Sequence, residues 1–302
     1  MLDPALIGRV AAALQTDASF VEKDWHVIRA IRVISAVAQQ GVTPVFSGGT
    51  SLAKGWGLIK RFSEDIDFKV GITAASASAM RKARSAYRQK IIAALAGQGF
   101  TIEGEPLVGN ESQFFRASFG YGAIAQPGIS LRPTLQIEMT FRPPMRPPTL
   151  RPLQSLLAQA ERGPAEVSGF LCVDPVETAI DKLSALAWRA KVRDRTAAGD
   201  DPTIVRHIHD LAVLAPMTAA DAAFPALVRD VLKHDLFRAK DASFDVVTVL
   251  QGLIPAIVGD PVWQHEYEQF VAQMSYARAD EIVDFAAAVA TCQSLVDRVL
   301  AS

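Results

Sequence analysis

Apolar side chains recur along residues 19–40 with the spacing of an amphipathic helix. Ile28 and Ile31 lie three residues apart, on what would be one face of the helix. Ser19 and Glu22 are also three positions apart and predict a capping box at the start of the helix. The pattern therefore predicts a helix with one buried face near the N-terminus.

A second pattern, with the period of a β-strand, follows the first. Ile66, Phe68 and Val70 point to one side of such a strand, and Asp65 and Asp67 point to the other. The two carboxylates therefore share one face of the predicted strand.

Residues 135–141 alternate in the same way, and Glu138 is the acid on their polar face. We expect Glu138 either to join the aspartates from a neighbouring strand or to lie in solvent at a sheet edge.

Residues 142–152 are rich in proline and arginine, which excludes a helix or a central strand and predicts an extended basic connector.

Two further helices are predicted. Residues 74–97 are rich in alanine and place Arg81, Arg84 and Arg88 on one side, which favours a solvated face over a surface that follows an RNA backbone. Asp174 and the proline and glutamate that follow it suit the start of another helix. From about residue 218 to the end we expect three or four helices that contribute packing rather than chemistry.

Composition limits the class of protein. The chain has 302 residues, of which 50% are hydrophobic and 21% charged, so we expect a folded protein of two domains, residues 1–165 and 166–302. The formal charge of −1 means that any surface for nucleic acid must be local. Two cysteines far apart argue against a disulfide framework. The absence of a signal sequence and of a long apolar run predicts a cytoplasmic protein that does not bind a membrane.

The richest chemistry lies before and within the Asp-x-Asp strand. Gly48 and Gly49 follow a predicted buried strand, and a glycine turn can present backbone N–H groups to an anion. Ser51 and Lys54 add a hydroxyl and a positive charge. The paired aspartates repel one another unless a cation lies between them. Phosphates on one side and a divalent metal on the other indicate a nucleotide site.

These motifs resemble a known family. Residues 48–54 and 61–68 are similar to the first two motifs of nucleotidyltransferases with the polymerase-beta-like fold and, more narrowly, to the AbiEii/AbiGii toxins of type IV toxin–antitoxin and phage-abortive systems. Residues 182–186 and the His-Asp-Leu that ends at 211 match the family's later motifs, although a polar insertion at 196–202 departs from its pattern. The insertion puts a role for Asp194 in doubt and makes Asp210 the better match to the family's functional acid.

The resemblance implies a fold and a set of site residues. The fold would be α/β (α+β), with a polymerase-beta-like core on a small mixed sheet and a mainly helical C-terminal domain that contributes to the cleft. Metal would be held by Asp65, Asp67 and Glu138, and catalysis would use Asp65, Asp67, Lys182 and Asp210. The nucleotide would be bound by Gly48, Gly49, Thr50, Ser51, Lys54, Arg61, Ser63 and Arg189.

The resemblance also implies a function. The protein would be a toxin that uses Mg²⁺ or Mn²⁺ to transfer a nucleotide from an NTP to a hydroxyl, with RNA, notably a tRNA 3′ end, as acceptor and a separate antitoxin protein as partner. A protein-modifying nucleotidyltransferase or kinase-like toxin is an alternative. A catalytically inactive module that binds nucleotide or RNA is another, which the intact acids disfavour.

Overall fold

The computed structural model describes residues 2–125, 131–238 and 245–302. The chain divides into two compact units, residues 1–174 and 175–302. The first combines a sheet with helices, and the second is helical in its described residues.

A seven-stranded mixed sheet forms the centre of the first unit. Its strands are β1 (Val42–Ser47), β2 (Asp65–Ile72), β3 (Thr101–Gly109), β4 (Phe114–Gly120), β5 (Thr134–Thr140), β6 (Thr149–Leu153) and β7 (Val167–Cys172). The strand order is β3-β4-β5-β2-β1-β7-β6. Strand β2 pairs antiparallel with β1 and parallel with β5, and β1 pairs parallel with β7. The predicted mixed sheet is confirmed.

The helices of the first unit are α1 (Pro4–Leu14), α2 (Ala18–Ser35), α3 (Gly48–Lys54), α4 (Ala77–Ala96) and α5 (Leu156–Ala160). The main core forms where the apolar faces of α2 and α4 meet the apolar face of the sheet, with Ile31, Phe68, Ile91, Phe115 and Ile137 among its buried members. Because these strand residues alternate with polar ones, the polar residues are directed to the opposite face of the sheet.

The start of α2 differs from the sequence-based expectation. Asp17, not Ser19, is the N-cap, and its Oδ1 accepts a hydrogen bond of 2.8 Å from the Ser19 backbone N–H. The predicted capping box is therefore wrong, because the Glu22 carboxylate instead accepts hydrogen bonds from the backbone N–H groups of Ile124 and Ala125.

Part of the proline-rich connector, residues 142–152, forms a strand. Strand β6 pairs with β7 at the edge of the sheet, where proline is tolerated.

Strand β7 shows why the first unit extends to residue 174. The backbone of Cys172 lies opposite Phe46 of β1 and Thr149 of β6, so this strand completes the sheet. The sequence-based boundary at residues 165 and 166 placed β7 in the second domain.

The second unit contains α6 (Pro175–Val192), α7 (Arg206–Ala219), α8 (Phe224–Arg238), α9 (Val246–Val258), α10 (Val262–Met274) and α11 (Phe285–Leu300). Its interior is mainly apolar, with Leu183, Leu211, Leu232 and Val299 fully buried. In the described part of the chain no single helix is long and apolar enough to cross a membrane, and α9 and α10 meet that test only as a pair bent by 77°. Both cysteines, Cys172 and Cys292, are free thiols and buried.

Candidate active site

The two aspartates lie on the polar face of the sheet, where the register of three strands sets their neighbours. Asp65 and Asp67 alternate with buried residues along β2 and are themselves half-buried. In the parallel pairing with β5, Asp67 lies opposite Glu138 and Asp65 opposite Gln136. On β4, Arg116 is the residue opposite Glu138. The structure thus places the three predicted acids on adjacent positions of one surface.

Gly48 lies directly against Asp67. Its φ of +74° is a left-handed conformation that favours glycine, and a Cβ atom there would collide with the Asp67 carboxylate. Ser47, the residue before it, is the register partner of Asp67 on β1. The glycine is therefore required both by the backbone turn and by the close approach of a candidate catalytic side chain.

Gly49 is similarly enclosed by Arg61 and Ser63. A Cβ on Gly49 would lie 2.7 Å from Arg61 Nη2 and 2.9 Å from Ser63 Oγ. Arg61 is buried and donates through Nη1 to the Phe62 carbonyl oxygen at 2.8 Å. The loop before β2 thus folds back on α3, and three of the predicted nucleotide-binding residues come together.

Thr50 and Ser51 point into the protein. The Thr50 hydroxyl donates to the Asp65 carbonyl oxygen at 2.5 Å, which fixes α3 to the start of β2. Ser51 is 1% exposed and lies beside the thiol of Cys172. Neither side chain is directed to solvent, so the groups of this segment best placed for a phosphate are backbone N–H groups.

The side chain of Lys54 also lies in the interior of the first unit. Its ammonium forms a buried ion pair with Asp24 of α2, and Asp24 Oδ2 accepts a hydrogen bond of 2.7 Å from the Leu156 backbone N–H. The pair joins three helices of the first unit. A phosphate-binding role for Lys54 would require this ion pair to open, and it stays a prediction.

Glu138 experiences the negative charge of its neighbours. Burial raises the pKa of its carboxyl group, and the nearby charge of Asp65 raises it further. Gln136 donates to Glu138 Oε1 at 2.8 Å, and Arg116 Nη1 lies 3.7 Å from the same oxygen. The acids are therefore close enough to repel one another, which is the condition that a bound cation would relieve.

An arginine that the sequence did not single out binds Asp65. Arg132 Nη2 lies 2.7 Å from Asp65 Oδ1, and Arg132 Nη1 donates to Gln136 Oε1 at 2.9 Å. Partial burial acts to lower the pKa of Arg132, but the charges of Asp65 and Glu64 outweigh it, and the pKa is raised. Gln136 Nε2 also donates to Asp65 Oδ1, at 3.2 Å.

The main chain of Arg132 is held by two charged residues. Its N–H donates to Glu64 Oε1 at 2.8 Å, and its carbonyl oxygen accepts from Lys23 Nζ at 2.9 Å. Lys23 and Glu64 are themselves paired at 2.7 Å. Burial lowers the pKa of Lys23, an effect that the charge of Glu64 opposes.

Residues 22–24 of α2 are three consecutive charged residues, of which the sequence pattern singled out only Glu22, as part of the capping box. They are all buried, and each contacts a different segment of the unit. A signal was present: three consecutive charges interrupt an otherwise apolar stretch of α2, so at least one of them had to face the interior.

In the second unit, Lys182 and Asp210 form a buried pair. Lys182 Nζ of α6 lies 2.7 Å from Asp210 Oδ2 of α7, and the side chain of Asp210 is fully buried. His209 Nδ1 lies 3.1 Å from Asp210 Oδ1. The structure therefore brings together the two residues that the later motifs singled out, and adds an imidazole.

Arg189 lies in the last turn of α6 and is half-exposed. Its guanidinium stacks over the Trp188 ring, 5.6 Å from the centroid, and Nη1 is 3.9 Å from Asp201 Oδ2. Its predicted contact with a nucleotide stays a prediction. Asp194 is exposed and accepts hydrogen bonds from Thr196.

Comparison with known proteins decides the family. Residues 32–291 match the family model for the nucleotidyltransferase AbiEii toxin of type IV toxin–antitoxin systems. This range includes every residue of the candidate site outside the start of α2. The chain belongs to the AbiEii family. It is accordingly a nucleotidyltransferase of the toxin type, and the resemblance seen in residues 48–54 and 61–68 is confirmed.

The solved structure of a nucleotidyltransferase toxin supports the same fold for this AbiEii toxin. MenT4, a nucleotidyltransferase toxin from Mycobacterium tuberculosis H37Rv, is similar with a TM-score of 0.58 at 19% identity, over 99% of this chain and 90% of MenT4. An antigenic nucleotidyltransferase-like protein from Paracoccidioides brasiliensis aligns with a TM-score of 0.36 at 12% identity, over 75% of this chain and 95% of its own. No curated protein matches the sequence.

The family implies a divalent metal, and the donor chemistry of this AbiEii toxin can be tested for it. In the residues that the structure describes, no group of three or more His, Cys, Asp or Glu side chains is arranged to hold a metal ion. Mg²⁺, however, is commonly bound by one or two carboxylates, with water and substrate phosphate completing its shell. Asp65 and Asp67 on one face, with Gly48 leaving room beside them, fit that two-carboxylate mode.

Proposed function

We propose that this AbiEii toxin transfers a nucleotide from an NTP to an acceptor hydroxyl in a Mg²⁺-dependent reaction. One observation carries the proposal: Asp65 and Asp67 share the polar face of β2, with Glu138 opposite Asp67 and the glycine turn against Asp67. Carboxylates in this position beside a turn of backbone N–H groups suit a metal bound to a triphosphate.

In this proposal Asp65 and Asp67 bind the metal, and Glu138 supplies a third carboxylate at its side. When bound, Mg²⁺ would offset the charge of the phosphates and of the leaving pyrophosphate. The chain itself fixes the positions of the donors, because β2 and β5 hold the carboxylates in register and Gln136 orients two of them through its amide. Mn²⁺ would suit the same oxygen donors.

The triphosphate would be bound chiefly by backbone. The N–H groups of Gly48 to Thr50, in the first turn of α3, are the donors of this segment best placed for it, and Arg61 and Ser63 lie close to Gly49. For Lys182 and Asp210 we propose, from the family motif, that the ammonium acts on the phosphates and that the carboxylate orients it. Arg189 would add a positive charge for the same anion.

The acceptor we propose is RNA, and specifically a tRNA 3′ end, in the cytoplasm, with a separate antitoxin as the partner that controls the toxin and abortive infection as the setting. Support comes from membership of the type IV family and from the basic residues of α4. Part of that basic side is structural, since Arg84 and Arg88 each lie 3.4 Å from a carbonyl oxygen of the turn between β3 and β4.

A labelling experiment tests the proposal. The purified chain is incubated with total RNA, Mg²⁺ and each α-labelled NTP in turn, and the products are separated by size. We expect label on tRNA-sized species with one or two of the nucleotides, and loss of the label when the RNA is oxidised at its 3′ ends beforehand. Label on protein instead would favour the protein-modifying alternative.

Two variants serve as controls. Asp67→Asn removes a proposed metal ligand, and because such a metal supplies several kcal/mol of charge stabilisation we expect transfer to fall by about a thousandfold. Glu105→Gln removes an equal charge from the exposed strand β3 and should leave transfer unchanged. Transfer at the wild-type rate by the folded Asp67→Asn protein would contradict the proposed site.

A further inference from the structure

Arg132 occupies the place at Asp65 that a cation would take. Arg132 Nη2 and Gln136 Nε2 both donate to Asp65 Oδ1, at 2.7 Å and 3.2 Å. A Mg²⁺ ion binds carboxylate oxygen at about 2.0–2.1 Å. An ion at that distance from the same oxygen would lie against the guanidinium, so the two positive groups compete for Asp65.

The way Arg132 is held allows the guanidinium to leave. Its backbone N–H and carbonyl oxygen are fixed by Glu64 and Lys23, and both of these partners are largely buried. Its side chain, by contrast, is 45% exposed, and besides Asp65 it contacts only polar side chains, Gln136 Oε1 at 2.9 Å and Glu64 Oε2 at 3.4 Å, among the contacts that the described residues make with it. The anchor therefore stays in place while the side chain can rotate away from Asp65 without disturbing the sheet.

A released guanidinium has a natural acceptor. Arginine binds phosphate through two parallel hydrogen bonds, and such pairs are stronger than an exposed pair with one carboxylate oxygen. We propose that Arg132 exchanges Asp65 for the triphosphate when metal and nucleotide bind, so that it weakens binding of metal alone and makes binding of the two cooperative. This inference rests on the proposed function and adds a specific residue to it.

The proposal predicts opposite effects of one substitution. Arg132→Ala removes the competing cation, so Mn²⁺ alone should bind about tenfold more tightly, as expected for loss of a positive charge a few ångströms away. The same variant should bind an NTP analogue about tenfold more weakly in the presence of metal, because the phosphate loses its arginine. By linkage, the factor by which nucleotide strengthens metal binding must then fall.

The experiment measures binding rather than turnover. Free Mn²⁺ is followed by electron paramagnetic resonance as it is titrated into the full chain, first alone and then with each non-hydrolysable α,β-methylene NTP analogue. Arg132→Gln is a second neutral variant that keeps more of the side chain. Arg132→Lys keeps the charge, so its affinity for Mn²⁺ alone should stay close to that of the wild type, although it loses the paired hydrogen bonds to phosphate. Arg9→Ala removes an exposed charge from α1 and controls for net charge. Asp65→Asn, which should lose Mn²⁺ binding, verifies the site.

Each outcome of these titrations either supports or overturns the proposed role of Arg132. Tighter binding of Mn²⁺ by both neutral variants, with a smaller gain from nucleotide, supports the proposal. Mn²⁺ affinity equal to or below that of the wild type in these variants overturns it, even if the wild type transfers nucleotide to RNA, in which case the proposed function stands. If the wild type neither binds Mn²⁺ with any analogue nor transfers label, both proposals fail.

Discussion

Two ion pairs, one in each unit, involve residues that the sequence predicts to be catalytic, and they differ in burial. The Asp65 and Arg132 side chains are 29% and 45% exposed, whereas those of Asp210 and Lys182 are fully and almost fully buried. An exposed pair typically contributes about 0–1 kcal/mol to stability, so its members can change partners at little cost. A buried pair cannot lose one member without leaving a charge in a poorly solvated place. The first pair is therefore suited to ligand exchange and the second to a fixed geometry.

The largest expected effect is on the stability of the protein, at the buried pair of Lys182 and Asp210. Lys182→Met leaves Asp210 charged and buried, so we expect a loss of about 3–5 kcal/mol in the free energy of unfolding. Urea denaturation measures it, and Lys191→Met, an exposed position on the same helix, should change it by less than about 0.5 kcal/mol.

A double variant separates structure from catalysis at the same pair. Lys182→Met combined with Asp210→Leu removes both charges and should recover much of the lost stability. If Lys182 acts on the nucleotide, the recovered protein still fails to transfer label to RNA. Recovery of transfer together with stability would limit this pair to a structural role.

At the half-buried acids Asp65, Asp67 and Glu138, we expect an intermediate effect from the addition of one methyl group. Gly48→Ala forces an L-residue into a left-handed conformation, which costs about 1–2 kcal/mol, and pushes the Asp67 carboxylate away. Because a displacement of about 1 Å in a reacting group can cost a hundredfold, we expect nucleotide transfer to fall by about that factor.

Gly57 provides the matched control for this change. Its φ is +65°, but nothing lies within 4 Å of the position of its Cβ. Gly57→Ala should therefore lose a similar amount of stability in urea denaturation and keep its transfer rate. Equal losses of transfer in the two variants would mean that strain, rather than Asp67, controls activity.

The smallest expected effect concerns a buried histidine of α2. His26 of α2 is almost fully buried against the Tyr121 ring, and burial, with Arg29 nearby, lowers its pKa to about 4. The unfolded chain takes up a proton near pH 6.5, so the stabilising contribution is complete above that pH and is lost as the pH falls towards 4. Between pH 7 and pH 5 the loss should be about 2 kcal/mol in the free energy of unfolding.

Urea denaturation at these two pH values checks the effect. His26→Phe keeps an aromatic ring against Tyr121 and should lose less stability on acidification than the wild type. His265→Gln, at an exposed position on α10, should follow the wild type. An identical pH dependence for His26→Phe and wild type would show that other groups cause the loss.

Local patterns predicted the part of the site that depends on strand periodicity. The alternation around Asp65 and Asp67 and around Glu138 correctly placed them on polar strand faces. The pairing of Asp67 with Glu138 joins strands far apart in the chain, and alternation alone does not set the register between them. It became an expectation only through the family resemblance.

The residues that escaped prediction all act over long separations in sequence. Arg132 reaches Glu64 and Asp65, and Lys23 reaches Glu64, through contacts that no local pattern encodes. Lys54 was predicted to bind phosphate from its place in the motif, whereas the structure has it in a buried pair with Asp24. A charged residue in a motif can thus stabilise the framework of a site as well as act in it.

The two buried thiols have a practical consequence. Burial raises the pKa of Cys172 to about 11 and that of Cys292 to about 12, so both stay protonated and react slowly with alkylating agents. A cysteine introduced at an exposed position of each unit would then be labelled selectively on the native background. The fluorescence of a dye on such a cysteine in the first unit would then report an NTP titration without prior removal of the natural cysteines.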